Sequence, residues 1–281
     1  MKLSGGKKQS SNCKRAIYSY LFLITYYIFG TGCLQAGRQP RISIITSIFK
    51  GDLFINEFLK DITRQTVFEE CELILLNANP PGTGHEFEAI SKYLDRYPNQ
   101  IIYQQLEHDP GIYGVWNVGI KMARGKYLTN ANLDDRLAPD CYAVHARALD
   151  QNPDIDLVYS NSYVTKIPNE TFERNHCIGL INSPEFTPVM MKTNNLPSFN
   201  PMWRRVIHNR FGYFDEQFKI AGDWEFWVRI VMFGAKFKKV AGYHGLFYCN
   251  SQGLSMNPNT EGFHKKEVAK IRHKYAKFFK S

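Results

Sequence analysis

The 281-residue sequence lacks the short motifs that mark several common kinds of site. Its six cysteines are widely scattered and form no Cys-x-x-Cys pair, which argues against a zinc site, a redox motif or a disulfide framework. The segment 47–52, after the first predicted strand, holds one glycine, too few for the glycine-rich phosphate loop of a nucleotidyltransferase. Internal repeats are also missing, which excludes a repeat architecture.

Acidic residues are missing from the first 41 positions, and Glu267 is the only one between 264 and 281. Each of these two ends holds seven of the 35 Lys and Arg residues, so 42–263 holds 21 basic and 25 acidic residues. The net charge of +9 therefore comes from the ends, while the body of the chain is mildly acidic. This distribution does not suggest a nucleic-acid partner, and basic ends suit an anionic membrane surface better.

Residues 1–40 form a basic N-terminal segment around an uncharged apolar run at 16–29. The run fits a signal anchor or the apolar part of a signal peptide, and a third reading is that translation starts downstream of it. We therefore expect a cytoplasmic or membrane-associated protein, with the side of the membrane left open.

Strand and helix patterns alternate through the middle of the chain. A β-branched run at 41–48 predicts a buried strand, and further strands are expected at 72–77, 101–103, 126–131 and 155–164. Helical patterns lie between them, near 53–62, 86–96, 113–123 and 139–151. This order predicts an α/β fold with a doubly wound, mostly parallel sheet flanked by helices.

The pattern changes after residue 165. Segment 166–200 is rich in Pro, Asn, Ser and Thr and predicts a long functional loop or a small subdomain, with a disordered excursion as the alternative. We expect a short helix at 203–209, an amphipathic helix at 221–233 and an edge strand at 240–249. Residues 261–281 predict a basic helix that either docks through Phe263, Ile271 and Tyr275 or lies on a membrane.

The acidic pair Asp134-Asp135 follows the predicted strand at 126–131. In open α/β sheets, ligands bind beyond the carboxyl ends of the strands. Paired carboxylates at this position suit Mg²⁺ or Mn²⁺, whereas a solvated acidic turn before a helix is the alternative.

Several stretches of the chain, in order, resemble family 2 glycosyltransferases, which have the GT-A fold. The most specific runs from His108-Asp-Pro-Gly-Ile-Tyr-Gly-Val-Trp-Asn-Val-Gly119 through Ala123-Arg-Gly125 to Asn132-Leu-Asp-Asp135. Segments 41–49, 72–79, 221–229 and 248–255 also resemble the family, the last as a loop that closes over the donor. The similarity covers about 41–256, so we assign 41–260 to a GT-A domain with a small acceptor-side subdomain.

The resemblance implies a metal-dependent, inverting transferase that moves a sugar from a nucleotide-sugar, expected to be UDP-linked, to a saccharide or lipid-linked acceptor. It implies that Asp135 binds Mn²⁺ or Mg²⁺, with Asp134 on the metal or the ribose. It implies that Asp223 is the catalytic base, with Glu225 as runner-up. The side chains expected to contact the donor are Thr46, Asn77, Asn79, Asn117, Asn132 and Asp134.

Two departures from the family pattern concern the donor site. Asn77-Ala-Asn-Pro80 stands where the family often has Asp-Asp-Gly-Ser, and Gly114 stands where an acid is common. These changes would also suit a non-catalytic saccharide- or nucleotide-binding module on the same fold. On that view Asp223 is a carboxylate that simply favours a helix N-terminus, but the joint presence of Asp134, Asp135 and Asp223 favours the enzyme.

Overall fold

The computed structural model describes residues 39–280, and its elements alternate as the sequence predicts. The strands are β1 (Ile42–Ile48), β2 (Cys71–Asn77), β3 (Ile101–Gln105), β4 (Tyr127–Asn130), β5 (Arg136–Leu137), β6 (Leu157–Thr165), β7 (Gly179–Ile181), β8 (Met202–Arg204) and β9 (Phe237–Tyr248). The helices are α1 (Ile55–Thr63), α2 (Glu86–Arg96), α3 (Ile112–Met122), α4 (Cys141–Gln151), α5 (Ile207–Phe211), α6 (Gly222–Met232), α7 (Glu261–Lys274) and α8 (Ala276–Lys280).

The first half of the sheet is parallel, in the order β3-β2-β1-β4. Strand β1 lies between β2 and β4, and Ile42 is in register with both Cys71 and Tyr127. Its β-branched residues suit this place because a central parallel strand is covered on both faces. The predicted doubly wound, mostly parallel sheet is confirmed here.

Antiparallel pairs enter in the second half, which continues β8-β6-β9-β5 with β7 beside β6. Two predictions were wrong in this half. The short helix expected at 203–209 starts only at Ile207, as α5, whereas Trp203 lies in strand β8, in register with Leu128 and Leu157. Strand β9 is not at an edge, because it pairs with β6 on one side and β5 on the other.

Alternate residues of β1 and β2 pack into two separate hydrophobic cores, one on each face of the sheet. Ile45, Ile74 and Leu76 pack on the face covered by α3, α6 and α7, whereas Ile44 and Leu73 pack on the face covered by α1, α2 and α4. Side chains of consecutive strand residues point to opposite faces, so a continuous apolar strand supplies both cores.

Segment 166–200 is packed against the domain and not a disordered excursion. It contains β7 and a 3₁₀ helix at Pro188–Lys192, and Met191, Leu196 and Phe199 are buried. The indole N–H of Trp224 on α6 donates to the Met191 carbonyl over 3.0 Å. The segment is therefore part of the compact body of the chain beside α6, and we refer to residues 166–200 as the subdomain.

The C-terminal residues form two helices that dock on the domain. Ile271 is fully buried, and Val268, Tyr275 and Phe279 pack against the core that holds α6. Phe263 is 62% exposed, so its predicted part in docking is wrong. None of the helices within 39–280 is long and apolar enough to cross a bilayer. The predicted N-terminal anchor lies outside the described residues.

Candidate active site

The candidate site lies at the carboxyl edge of the parallel half-sheet. Strands β1, β2 and β4 end there, at Ile48, Asn77 and Asn130, and helix α3 begins there after β3. Gly111 precedes α3 with a φ of 81°, a conformation that glycine adopts without strain. Loops at such an edge form the usual ligand crevice of α/β sheets.

The two adjacent carboxylates after β4 have different surroundings. Asp135 is buried, and its oxygens accept from the Tyr248 backbone N–H and from the side-chain amide of Asn132, both over 3.0 Å. Asp134 is partly exposed, and its Oδ2 accepts from the Asn250 amide over 3.0 Å, whereas no residue of the described part of the chain donates to its Oδ1. Segment 248–255, predicted to close over the donor, therefore contacts the acidic pair. Of the two carboxylates, Asp134 is the more accessible and accepts fewer hydrogen bonds.

Charge and burial at the acidic pair suit a cation. Burial, with the charge of Asp134 added, raises the pKa of Asp135 well above its ordinary value. A divalent cation would relieve this cost, since two carboxylates are hard oxygen ligands of the kind that Mg²⁺ and Mn²⁺ take. Residues 39–280 contain no cluster of three His, Cys, Asp or Glu ligands, so a cation held here would complete its shell with other oxygens. The residues present fit a metal shared with a phosphate-bearing ligand.

The two asparagines at the end of β2 belong to one hydrogen-bonded network. Asn77 Oδ1 accepts from both the backbone and the side chain of Asn79, each over 3.0 Å. The Asn79 amide also donates to Glu86 Oε1 over 3.0 Å, and its oxygen accepts from the Lys50 N–H over 2.8 Å. Asn77 and Asn79 therefore join the loops after β1 and β2 and bring a carboxylate, Glu86, that sequence reasoning missed.

Two other predicted donor contacts lie inside the protein. Thr46 is fully buried on β1, and its hydroxyl has no hydrogen-bond partner among residues 39–280. Asn117 is buried on α3, where it exchanges hydrogen bonds with the Phe214 backbone and donates to Glu216 over 2.8 Å. The structure gives Asn117 a bracing role between α3 and the loop before α6.

Asp223 lies in the first turn of α6 and is held by two side chains. Asn195, from the small subdomain, donates to its Oδ2 over 2.7 Å. The Tyr113 hydroxyl, at the start of α3, lies 3.3 Å from its Oδ1 and donates to the Ile220 carbonyl over 2.7 Å. Burial raises the pKa of Asp223 above its usual range, and the bonds from Asn195 and Tyr113 limit the rise. The carboxylate thus sits where α3, α6 and the subdomain meet.

Glu225 lies two residues later and is fully buried. It accepts from Arg229 over 3.2 Å, from Lys274 over 2.9 Å and from the Tyr275 hydroxyl. All of these contacts join α6 to its own next turn or to the C-terminal helices. The structure therefore gives Glu225 a part in docking the C terminus, and Asp223 remains the candidate base.

Glycines of the family-like runs mark close approaches. A Cβ on Gly222 would lie 2.7 Å from the Tyr113 ring, and one on Gly119 would lie 2.4 Å from Ile45 on β1. Such contacts are closer than packed atoms tolerate, so these positions let α6 meet Tyr113 and α3 meet the sheet. A signal for Tyr113 was present in the sequence, since it belongs to the Gly-Ile-Tyr run. Asn195 had no such signal beyond its place in an unpatterned segment.

A family model described as "Glycosyl transferase family 2" matches residues 43–231. The chain belongs to glycosyl transferase family 2. The match includes the acidic pair, the start of α3 and Asp223, and it stops before β9 and the C-terminal helices. The resemblance seen in the sequence is confirmed, and with it the expectation of a glycosyltransferase.

Among curated relatives, the chain is similar to the uncharacterized glycosyltransferase YwdF of Bacillus subtilis, with 24% identity over 191 residues and 67% of each chain covered. Among solved structures, it resembles S. aureus TarS 1–349 in complex with UDP-GlcNAc, with a TM-score of 0.62 and 18% identity. That similarity covers 82% of this chain and 66% of the TarS chain, just under two thirds.

A second solved structure is the mannosyltransferase PcManGT from Pyrobaculum calidifontis, in complex with GDP-Man and Mn²⁺. The TM-score is 0.58 at 14% identity, and the similarity covers 85% of this chain and 68% of that one. At these identities the similarity shows the GT-A fold.

Proposed function

We propose that this family 2 glycosyltransferase moves a sugar from a nucleotide-sugar to a hydroxyl of a saccharide or lipid-linked acceptor, with inversion at the anomeric carbon. The observation that carries the proposal is the place of Asp223, a half-buried carboxylate held by Asn195 and by Tyr113, whose helix α3 begins at the sheet edge where β4 leads to Asp134 and Asp135. One candidate base and one candidate cation site at the same edge are what such a displacement needs.

The reaction follows from these groups. The acceptor oxygen bonds to the anomeric carbon as the bond from that carbon to the diphosphate breaks, and the acceptor proton passes to Asp223. Because the nucleophile attacks opposite the leaving group in a single step, the configuration inverts. A raised pKa makes Asp223 a stronger base than an ordinary aspartate, provided that it stays ionised at the working pH.

Asp134 and Asp135 would hold the divalent metal, Mn²⁺ or Mg²⁺. When bound, such a metal neutralises the charge that grows on the leaving diphosphate. Asp134 is the better candidate for direct contact, because Asp135 already accepts hydrogen bonds at both oxygens. We expect the donor to be UDP-linked, in line with the UDP-GlcNAc complex of TarS, and GDP-linked sugars are the alternative suggested by PcManGT.

A membrane-associated acceptor would suit the charge distribution. Lys266, Arg272 and Lys277 lie exposed on the C-terminal helices, and the basic N-terminal segment adds further positive charge. A cation near an anionic lipid surface contributes about 1 kcal/mol to binding. The membrane is part of the proposal only as the place where a lipid-linked acceptor would be met.

The experiment is a thermal-shift panel of UDP-, GDP-, dTDP- and CMP-linked sugars, each with and without Mn²⁺, followed by transfer assays with the stabilising donor. A ligand at 100 times its Kd adds about 2.7 kcal/mol to the free energy of unfolding, which corresponds to several degrees. Asp134→Asn should abolish the Mn²⁺-dependent part of the shift. Asp223→Asn should keep the shift and lose transfer.

Asp154→Asn is the matched control, because within residues 39–280 the side chain of Asp154 forms a single, exposed pair, with Lys236. If no donor stabilises the folded wild-type chain, the transferase proposal fails. If Asp223→Asn transfers as fast as Asp154→Asn, Asp223 is not the base.

A further inference from the structure

The segment that leads into α6 is fastened by a single carboxylate from α7. Glu267 Oε1 accepts from the Lys219 backbone N–H over 2.7 Å. Its Oε2 accepts from the N–H groups of Ile220 and Ala221 over 2.9 and 2.8 Å. Three consecutive backbone donors are thus bound just before Gly222, the first residue of α6, and Asp223 is the next residue.

Among residues 39–280, no backbone carbonyl accepts from these three donors. The N-terminal N–H groups of a helix lack intrahelical acceptors and usually bind the side chain of a capping residue. The N-cap of α6 is Ala221, which has no side chain able to accept a hydrogen bond. A carboxylate is favoured at this end by the helix dipole. Glu267 accepts from the N–H of Ala221 and from the N–H groups of the two residues before it, so it fixes the segment that enters the helix from 46 residues downstream of Ala221.

We call the three hydrogen bonds from 219–221 to Glu267 the clamp. A second contact connects the clamp to the candidate base, Asp223. The Ile220 N–H is bound by Glu267, and the Ile220 carbonyl accepts from the Tyr113 hydroxyl over 2.7 Å. The same hydroxyl lies 3.3 Å from Asp223 Oδ1. Displacing Ile220 would therefore move both the backbone that carries Asp223 and the side chain that touches it.

The helix that carries Glu267 is itself held firmly against the domain. Helix α7 is held on α6 by Ile271, which is fully buried, and by the bonds from Lys274 and Tyr275 to the buried carboxylate of Glu225. Glu267 lies one turn before Ile271 on α7. The position of Glu267 relative to α6 is thus fixed by the packing of α7 on α6, as a positioning group requires.

We propose that Glu267 is a positioning residue for Asp223, so that the C-terminal helix, which lies outside the family-matched segment 43–231, is needed to aim the base. This inference rests on the proposed function. It predicts that loss of the Glu267 carboxylate lowers the rate of the chemical step and leaves donor binding unchanged.

The test compares Glu267→Ala and Glu267→Gln with Glu261→Ala. Glu261 lies on the same helix and forms an exposed i,i+4 pair with Lys265. We expect kcat to fall about 100-fold in Glu267→Ala, the scale of a misplacement of roughly 1 Å, and about tenfold in Glu267→Gln, which keeps one acceptor oxygen. KM for the donor should stay within about twofold of the wild-type value, and the donor-induced thermal shift should equal that of wild type within error.

A readout independent of activity is hydrogen exchange at the amides of 219–221. Both Glu267 variants should exchange faster there than Glu261→Ala. Wild-type kcat in both variants would overturn the inference and leave the proposed function standing. A parallel loss of kcat, donor affinity and donor-induced shift would make Glu267 a purely structural residue and overturn the inference too. If Glu267→Ala does not fold, Glu267→Gln decides.

If the wild-type chain transfers no sugar, the proposed function fails and takes the positioning role with it. Unchanged exchange at 219–221 in a folded variant would refute the clamp itself, whatever the activity.

Discussion

Gly222→Ala would test whether Tyr113 and Asp223 act as one unit. The added methyl group would lie 2.7, 2.8 and 2.9 Å from three carbons of the Tyr113 ring. The ring is enclosed by Trp116 and Phe214, with centroids 5.4 and 5.9 Å away, so it has little room to retreat. Restoring an ordinary contact of 3.4 Å requires a movement of roughly 0.7 Å between α6 and the ring.

The expected cost follows from this geometry. Overpacking of this kind typically costs about 1–3 kcal/mol. Alanine recovers at most about 1 kcal/mol through its higher helix propensity, and less at the first helical position. We therefore expect a net loss of about 1–2 kcal/mol, or about 2–8 °C in Tm for a domain of this size. The larger effect should be on kcat, since a shift approaching 1 Å at the base can cost about 100-fold.

Gly262→Ala on α7 is the matched control, because no atom lies within 4 Å of the added methyl group. That variant should keep kcat and gain slightly in Tm through helix propensity. The measurements are Tm by calorimetry, donor KM and kcat. Wild-type kcat in Gly222→Ala, together with a Tm equal to that of Gly262→Ala, would refute the packing argument and the link between Tyr113 and the base.

Three further outcomes concern the carboxylates of Asp223, Asp61 and Glu225. The kcat profile should lose activity as the pH falls through the raised pKa of Asp223, so the acid limb should lie at a higher pH than an ordinary aspartate would give; a profile with no such limb would contradict its role as base. Burial raises the pKa of Asp61 to about 6, so its contribution to stability is full below its unfolded pKa and is lost as the pH rises through 6. In urea unfolding, the free energy of unfolding of Asp61→Asn relative to wild type should be about 2–3 kcal/mol higher at pH 7.5 than at pH 4. An equal difference at both pH values would contradict the raised pKa of Asp61. Glu225→Gln should cost about 2–3 kcal/mol, because it weakens the charged hydrogen bonds from Lys274 and Tyr275, while kcat per folded molecule stays near wild type; a selective loss of kcat would return Glu225 to the chemistry.

Local patterns in the sequence were enough to predict the elements that build the site. The β-branched run of β1, the helix at 86–96 and the strand that leads into Asp134-Asp135 all appear where period and turn residues indicated. These features depend on neighbouring residues along the chain, since side-chain periodicity and backbone hydrogen bonding act over a few positions. The family-like runs added the roles expected of Asp135 and Asp223, which local pattern could not supply.

Sheet order, by contrast, was decided by pairing between distant segments. The sequence around Trp203 is compatible with a helix, but this segment forms strand β8 because it pairs with β4 on one side and β6 on the other. Strand β9 has both buried and exposed residues, and the two-residue strand β5 pairs with it only at Gly245 and Leu246, a contact that the sequence pattern did not predict.

The partners of the site residues were also set only by the tertiary structure. The sequence determined that the chain has an acidic pair, a candidate base and a GT-A order of elements. It did not determine that Asn195 holds Asp223, that Glu225 faces the C-terminal helix or that Glu267 clamps the start of α6. Those contacts join residues 28 to 49 positions apart, and hydrogen bonds at such separations depend on how helices and loops pack on the finished sheet.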